Sequence, residues 1–136
     1  MHSHNRHRHD PRWPAVKAAL GSLRERHRCA VRIVDVDCGA GGFLIAVAEQ
    51  ARTMGFTAIE GRGLGGSPAL IGRARAAARR HRHAAMGLVF ERGDPADALA
   101  EESEFPADIL ICHRCGTRMR AAATCVIGDP VEEMAA

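Results

Sequence analysis

Hydrophobic residues recur along this chain with two alternating periods, after a polar start. Residues 15–28 keep the three-to-four-residue spacing of an amphipathic helix, and the β-branched run at 30–36 is typical of a buried strand. Helical spacing returns at 43–54, and a second strand is expected within 56–64. The first part of the chain therefore predicts helix, strand, helix and strand in succession.

The alternation continues through the second half of the chain. Ser67 and Pro68 predict the start of a third helix, because serine caps helix N-termini and proline is tolerated at the first helical position. Further elements are expected as a strand at 87–91, a short helical piece around 97–102 and a strand at 107–112. A last apolar run at 124–130 is either a fifth strand or an irregular tail. Strands that alternate with helices predict an α/β fold with a mainly parallel sheet covered on both faces.

The composition is typical of one folded domain. The chain has 136 residues, of which 46% are hydrophobic, which is enough for a core. Residues 1–12 combine histidines with arginines, and we expect a flexible tail there, followed by a single domain over residues 13–136. With 4% aromatic residues and a net charge of +3, the composition does not indicate a nucleic-acid partner.

Two further expectations concern location. No run of 18 or more apolar residues could span a bilayer, and no apolar segment of the kind found in signal peptides follows the polar start. We therefore expect no membrane partner and a cytoplasmic protein. In that compartment the five cysteines would be reduced.

The segment IVDVDCGAGG, at residues 33–42, is the main candidate for a ligand site. It lies at the carboxyl end of the first predicted strand, where parallel sheets bind ligands. Its glycines allow a sharp turn and a close approach of the backbone to a ligand, and the helix behind the turn offers free N–H groups. A dinucleotide fingerprint starting at Gly39 would require glycine at position 44, where Leu44 stands. An oxidoreductase fragment is therefore disfavoured.

Four segments, taken in order, resemble the class I S-adenosylmethionine-dependent methyltransferases. VDVDCGAGG is similar to the family's first motif, an acid two residues before a glycine-rich turn. The passage from the family's second strand into its helix is similar to GLGGSPALIGRAR. The end of its third strand resembles FERGDPADAL, and its fourth strand resembles ADILICH. The resemblance covers roughly residues 30–113. It implies a three-layer, Rossmann-like sheet with strand order 3-2-1-4 and a possible fifth strand.

The resemblance also implies roles for residues of the glycine turn. Asp35 would orient the turn and the methionine end of S-adenosylmethionine, and Gly39 and Gly41 would let the backbone pass close to the cofactor. Cys38, within the turn, belongs to the same cofactor-binding group and is either a small buried residue or a reactive thiol. Asp37 replaces the first glycine of the motif. Its carboxylate could either crowd the methionine end or meet its ammonium group.

Further roles are implied at the ends of the third and fourth strands. Asp94 would accept a hydrogen bond from the adenine amino group, with the backbone of Pro95 beside the ring. Another possibility is that Asp94 only caps a helix. His113 would face the methyl group and the substrate, and it is the candidate catalytic residue. The acid that binds the ribose hydroxyls in the family is missing, because the equivalent position is Gly65.

The expected function is that of a class I S-adenosylmethionine-dependent methyltransferase with an unknown methyl acceptor. Only 24 residues follow Cys112, too few for the remaining strands of the family's sheet, so we expect a partial cofactor-binding domain. An alternative is a catalytically inactive binding or regulatory module with the same fold. An unpaired sheet edge in a partial domain also predicts a possible homodimer.

Two other patterns leave alternatives open. Cys112 and Cys115 have the spacing of a zinc-binding pair, but a closed zinc site needs four ligands and no second such pair exists, so no metal is expected. The arginines between positions 73 and 82 form either a patch that binds anions or the solvated face of an ordinary helix.

Overall fold

Helices and strands alternate along the chain as the hydrophobic pattern predicts. The computed structural model describes residues 6–114 and 117–129, without the side chains of residues 117 and 118. The elements are, in chain order, α1 (Trp13–Glu25), β1 (Ala30–Asp35), α2 (Gly42–Thr53), β2 (Ala58–Gly65), α3 (Pro68–Arg80), β3 (Met86–Arg92), α4 (Pro95–Glu102), β4 (Ala107–Ile111), α5 (Thr117–Ala122) and β5 (Ala123–Ile127).

The five strands form one parallel sheet in the order β3-β2-β1-β4-β5. The predicted α/β class and the order 3-2-1-4 are confirmed, and the last apolar run contains a fifth strand. β1 is central, and Asp35 at its end is in register with Gly63 on β2 and Ile111 on β4. The carboxyl ends of these three strands therefore meet at one edge of the sheet, where ligands bind in such folds.

Helices cover both faces of the sheet, which gives three layers. On one face, apolar residues of α1, α2 and α3 form a core cluster with strand residues such as Ile33 and Ile109. On the other face, α4 and α5 cover a smaller cluster that contains Val34 and Leu110. Adjacent positions on β1 point to opposite faces and both are buried, as expected for a strand in the middle of a parallel sheet.

The bounds of α1 differ from those predicted from hydrophobic spacing. The helix begins at Trp13, with Pro14 in its first turn, and ends at Glu25. Arg26 is the C-cap and His27 has a φ of 62°, a left-handed conformation that a helix cannot continue through. None of the helices in the described part of the chain has the length and apolar character needed to cross a membrane.

Candidate active site

A cavity of about 760 Å³ opens beside the glycine turn, at the carboxyl ends of β1 and β4. Five of the residues expected at a cofactor site line it, namely Asp35, Asp37, Cys38, Gly39 and His113. Its volume is in the range of pockets that hold small organic ligands. The structure therefore brings together the residues predicted from the first strand and the residue predicted from the fourth strand.

The two glycines of the turn have different surroundings. Gly39 has a φ of +53°, and a Cβ added to it would find no atom within 4 Å. Gly41 has a φ of +83°, and a Cβ there would stand 2.8 Å from Cβ of Ala74 and 2.9 Å from Cε1 of Phe90. Gly41 is thus required for the packing of α3 and β3 against the turn. Gly39 leaves free space above the backbone, which a ligand could enter.

Asp35 is a buried carboxylate at the end of β1. Its side chain is 2% exposed, and its Oδ1 accepts a hydrogen bond of 3.2 Å from the backbone N–H of Asp37. Burial raises the pKa of Asp35 to about 6, although this hydrogen bond and the charge of Arg12 oppose the shift. An uncompensated buried carboxylate costs stability, and such groups are frequent at functional sites.

The cysteines of the site are not reactive thiolates. Cys38 is 6% exposed, and burial together with the nearby Asp35 carboxylate raises the pKa of its thiol to about 12. It therefore stays protonated at neutral pH, which favours the small buried residue over the reactive thiol. Cys112 is disulfide-bonded, so the expectation that all thiols are reduced is wrong at this position. Cys115 lies outside the described residues.

The segment before α1 contacts the cavity. Residues 1–12 were expected to form a tail, and the described part of this segment, from Arg6 onwards, lies against the glycine turn. Arg12 is 4% exposed and donates two side-chain hydrogen bonds to Asp10 and one of 3.2 Å to the carbonyl of Cys112. Its guanidinium carbon also lies 4.3 Å from the ring centroid of Phe43. Arg12 thus connects the end of β4 to the start of α2.

His113 faces the cavity in contact with a carboxylate that was not predicted. Its Nδ1 lies 3.0 Å from Oδ2 of Asp129, which follows β5. The backbone N–H of Asp129 also donates to the His113 carbonyl at 3.0 Å. Oδ1 of the same carboxylate is 3.7 Å from Nε of Arg12. The loop after β5 therefore orients the imidazole from one side and leaves it 47% exposed.

The residues expected around the adenine and the ribose are placed differently. Asp94 is the N-cap of α4, where its Oδ1 accepts a hydrogen bond of 2.9 Å from the backbone N–H of Ala96. Neither Asp94 nor Pro95 belongs to the lining of the cavity. Gly65 ends β2, and a Cβ there would stand 3.2 Å from Cδ1 of Ile71. The adenine contact of Asp94 stays a prediction, and its role as a helix cap is observed.

Metal binding has no structural support within the described residues. Among them, no group of three or more His, Cys, Asp or Glu side chains is close enough to hold a metal ion.

The fold resembles that of solved methyltransferase structures. A protein from Listeria monocytogenes, assigned to the class I S-adenosylmethionine-dependent methyltransferases, matches with a TM-score of 0.58 at 23% identity. A protein from Plasmodium falciparum, assigned as a protein-L-isoaspartate O-methyltransferase and solved with S-adenosyl-L-homocysteine, matches with a TM-score of 0.51 at 13% identity. No protein-family model and no curated protein sequence matches the chain.

These similarities show the fold of the chain. The match covers 73% of the present chain and 28% of the Listeria protein, and 77% of the chain and 52% of the Plasmodium protein. The chain thus spans about a quarter to a half of the length of these structures. It has the Rossmann-like α/β fold of the class I S-adenosylmethionine-dependent methyltransferases.

Proposed function

We propose that the chain binds S-adenosylmethionine at the glycine turn and acts as a methyltransferase domain with an unidentified acceptor. The observation that carries this proposal is the pairing of Gly39 with Asp35. An open, positive-φ glycine lies next to a buried carboxylate at the carboxyl end of the central strand. The charge of this desolvated carboxylate costs stability, although its Oδ1 accepts a hydrogen bond from the backbone N–H of Asp37, and a cationic ligand would offset that cost.

The residues of the cavity fit one end of the cofactor. S-adenosylmethionine has an ammonium group at its methionine end, and the carboxylates of Asp35 and Asp37 are the lining groups suited to pair with it. Gly39 gives the backbone room to approach. The exposed position of Asp37 favours an interaction with the ammonium group over crowding of the turn. When bound, the cofactor supplies an activated methyl group.

His113 is the side chain proposed to act on the acceptor. Methyl transfer by in-line displacement depends mainly on the alignment of the two reacting groups. An acceptor that must lose a proton also needs a base, and an imidazole oriented by a carboxylate suits this role. Asp129 supplies that carboxylate at 3.0 Å. The half-exposed ring leaves room for an acceptor at the mouth of the cavity.

Thermal unfolding with two different ligands tests the proposal. S-adenosylhomocysteine at about a hundred times its dissociation constant should stabilise the folded chain by about 2.7 kcal/mol and raise its melting temperature. NAD at the same concentration should have no effect, because Leu44 interrupts the dinucleotide fingerprint. A shift with NAD and none with S-adenosylhomocysteine would assign the glycine turn to a different nucleotide.

A further inference from the structure

The positive charge of this chain is concentrated on α3 and the loop that follows it. Residues 67–88 contain five arginines and no aspartate or glutamate. Because the net charge of the whole chain is +3, the remaining residues are net negative. The five arginines are Arg73, Arg75, Arg79, Arg80 and Arg82, and all are exposed. We call this set the α3 arginines.

Unlike Arg28, Arg32 and Arg62, the α3 arginines have no acidic partner among the described residues. Arg28 pairs with Asp108 at 3.1 Å, and Arg32 and Arg62 both pair with the buried Glu102. None of the α3 arginines forms an ion pair with any described residue. An ordinary solvated helix mixes both signs of charge, whereas a surface of one sign attracts an oppositely charged partner.

The arginines also border a groove that could hold such a partner. A groove of about 780 Å³ lies between the carboxyl-terminal half of α3 and the edge strand β3. Arg75, Arg79, Arg82 and His83 line one side of it. Arg75 is held in place by a hydrogen bond of 2.9 Å from its Nε to the carbonyl of Phe90. Arg75, Arg79 and Arg82 therefore follow the groove, along a helix about 20 Å long, whereas Arg73 and Arg80 line the candidate cofactor cavity.

We propose that this surface binds the phosphate backbone of a nucleic acid. Arginine presents a planar fork of donors that matches phosphate, and the three arginines along the groove suit successive phosphates. A protein partner would need an apolar or aromatic anchor. The exposed side chains of the helix around the α3 arginines are small, and the apolar residues on the strand side of the groove, Met86 and Leu88, are only partly exposed. Binding by charge alone is typical of nucleic-acid backbones.

The low aromatic content limits which form of nucleic acid is expected. Single-strand binding surfaces stack bases on aromatic side chains, and Phe90 beside the groove is buried at 2% exposure. We therefore expect contacts to phosphates rather than to bases, and binding of a duplex at least as tight as that of a single strand. This proposal does not depend on the cofactor, since it rests on Arg75, Arg79 and Arg82, which do not line the candidate cofactor cavity.

Fluorescence anisotropy with a labelled RNA duplex of about 20 base pairs tests the proposal. The unmodified chain should bind at low salt, with an affinity that falls steeply as salt increases. The double variant Arg79→Glu with Arg82→Glu should bind at least about tenfold more weakly, and the slope of log K against log salt should be lower by about two. Arg79→Gln with Arg82→Gln should show a smaller loss in the same direction.

A matched control distinguishes an effect of the α3 surface from an effect of the net charge of the chain. Lys17→Glu with Arg26→Glu makes the same change in net charge at exposed positions of α1 and its C-cap. This control should change the affinity by less than about threefold. Equal losses in the two double variants, or no binding of the duplex at low salt, would overturn the proposal. Binding of poly-glutamate as tight as that of the duplex would assign the surface to acidic proteins instead.

Discussion

The guanidinium of Arg12 lies over the ring of Phe43, with its central carbon 4.3 Å from the ring centroid. Phe43 is the second residue of α2, directly after the glycine turn, and Arg12 precedes the first residue of α1. The contact fixes the residues directly before α1 beside the candidate cofactor site. One wall of the cavity is therefore built by a segment whose composition alone predicts a tail.

Removal of this guanidinium should destabilise the fold. Arg12→Ala removes the side-chain hydrogen bonds to the Asp10 carboxylate and to the Cys112 carbonyl, and we expect a loss of about 2–4 kcal/mol in the free energy of unfolding. Arg8→Ala is the matched control, since Arg8 is exposed, and it should change stability by less than about 0.5 kcal/mol. Urea denaturation measures both. Equal stability of the two variants would mean that Arg12 does not anchor the segment.

The raised pKa of Asp35 predicts how stability depends on pH. Its pKa is about 6 in the folded chain, above the 3.8 of an ordinary aspartate, so the folded state binds the proton more tightly than the unfolded state. This group therefore lowers stability as pH rises from about 4 to 6, and its full cost persists above that range. Asp35→Asn removes the buried charge and should stabilise the chain by about 1–3 kcal/mol at pH 8.

The advantage of Asp35→Asn should shrink towards zero at pH 4, where Asp35 of the unmodified chain is protonated in the folded state. Asp37→Asn, at the exposed neighbouring position, should reduce the pH dependence only slightly, because the charge of Asp37 is a minor cause of the raised pKa of Asp35. Denaturant unfolding at several pH values provides the comparison. If Asp35→Asn were no more stable than the parent at pH 8, the charge of Asp35 would be balanced by favourable interactions in the folded chain.

A substitution that strengthens cofactor binding can test whether Gly65 occupies the position of the family's ribose-binding acid. If Gly65 stands where the family has its acid, Gly65→Asp should strengthen S-adenosylhomocysteine binding by about ten- to a hundredfold, since a carboxylate regains the ribose hydroxyls. The new Cβ would lie 3.2 Å from Cδ1 of Ile71, a flexible side-chain end that can shift slightly. Gly66→Asp is the control, because its Cβ would stand in open space one residue further on. Unchanged affinity in a folded Gly65→Asp chain would mean that the second strand is aligned wrongly.

Asp94 has an observed structural role and a predicted binding role, which two substitutions separate. Asp94→Ala removes the cap of α4 and should cost about 1 kcal/mol of stability, whereas Asp94→Asn keeps an oxygen that can cap the helix. If Asp94 also binds the adenine amino group, Asp94→Ala should weaken S-adenosylhomocysteine binding about tenfold. A folded Asp94→Ala chain that binds as tightly as the parent would leave only the capping role.

The helices and strands could be predicted from sequence because their signals are local, and the order of the strands in the sheet followed from the resemblance to a known family. Asp35 and Gly39 lie at the end of a buried strand, and both line the cavity. Arg12 and Asp129 could not be found this way, because their partners are distant in the chain and become neighbours only when the sheet forms. The position of Arg12 directly before the apolar residues Trp13 and Pro14 was a weak local signal that its side chain is buried.

α5 was missed for a related reason. The element spans six residues, Thr117–Ala122, and has too few apolar positions to show helical spacing. Ala122 is buried in the smaller core cluster, so packing against the sheet stabilises a helix that its own sequence barely specifies. The residues that carry the site are thus recognised from sequence only where they follow a strand of strong hydrophobic character.

The central claim is that the cavity beside the glycine turn binds S-adenosylmethionine. Isothermal titration calorimetry with S-adenosylhomocysteine tests it most directly. The proposed function predicts one ligand per chain and a dissociation constant in the micromolar to low-millimolar range. Replacement of Gly39 by valine should weaken binding at least tenfold, because the side chain fills the open space above the turn and strains a backbone with a φ of +53°. Flat heats, together with a melting temperature that the ligand does not shift, would contradict the claim.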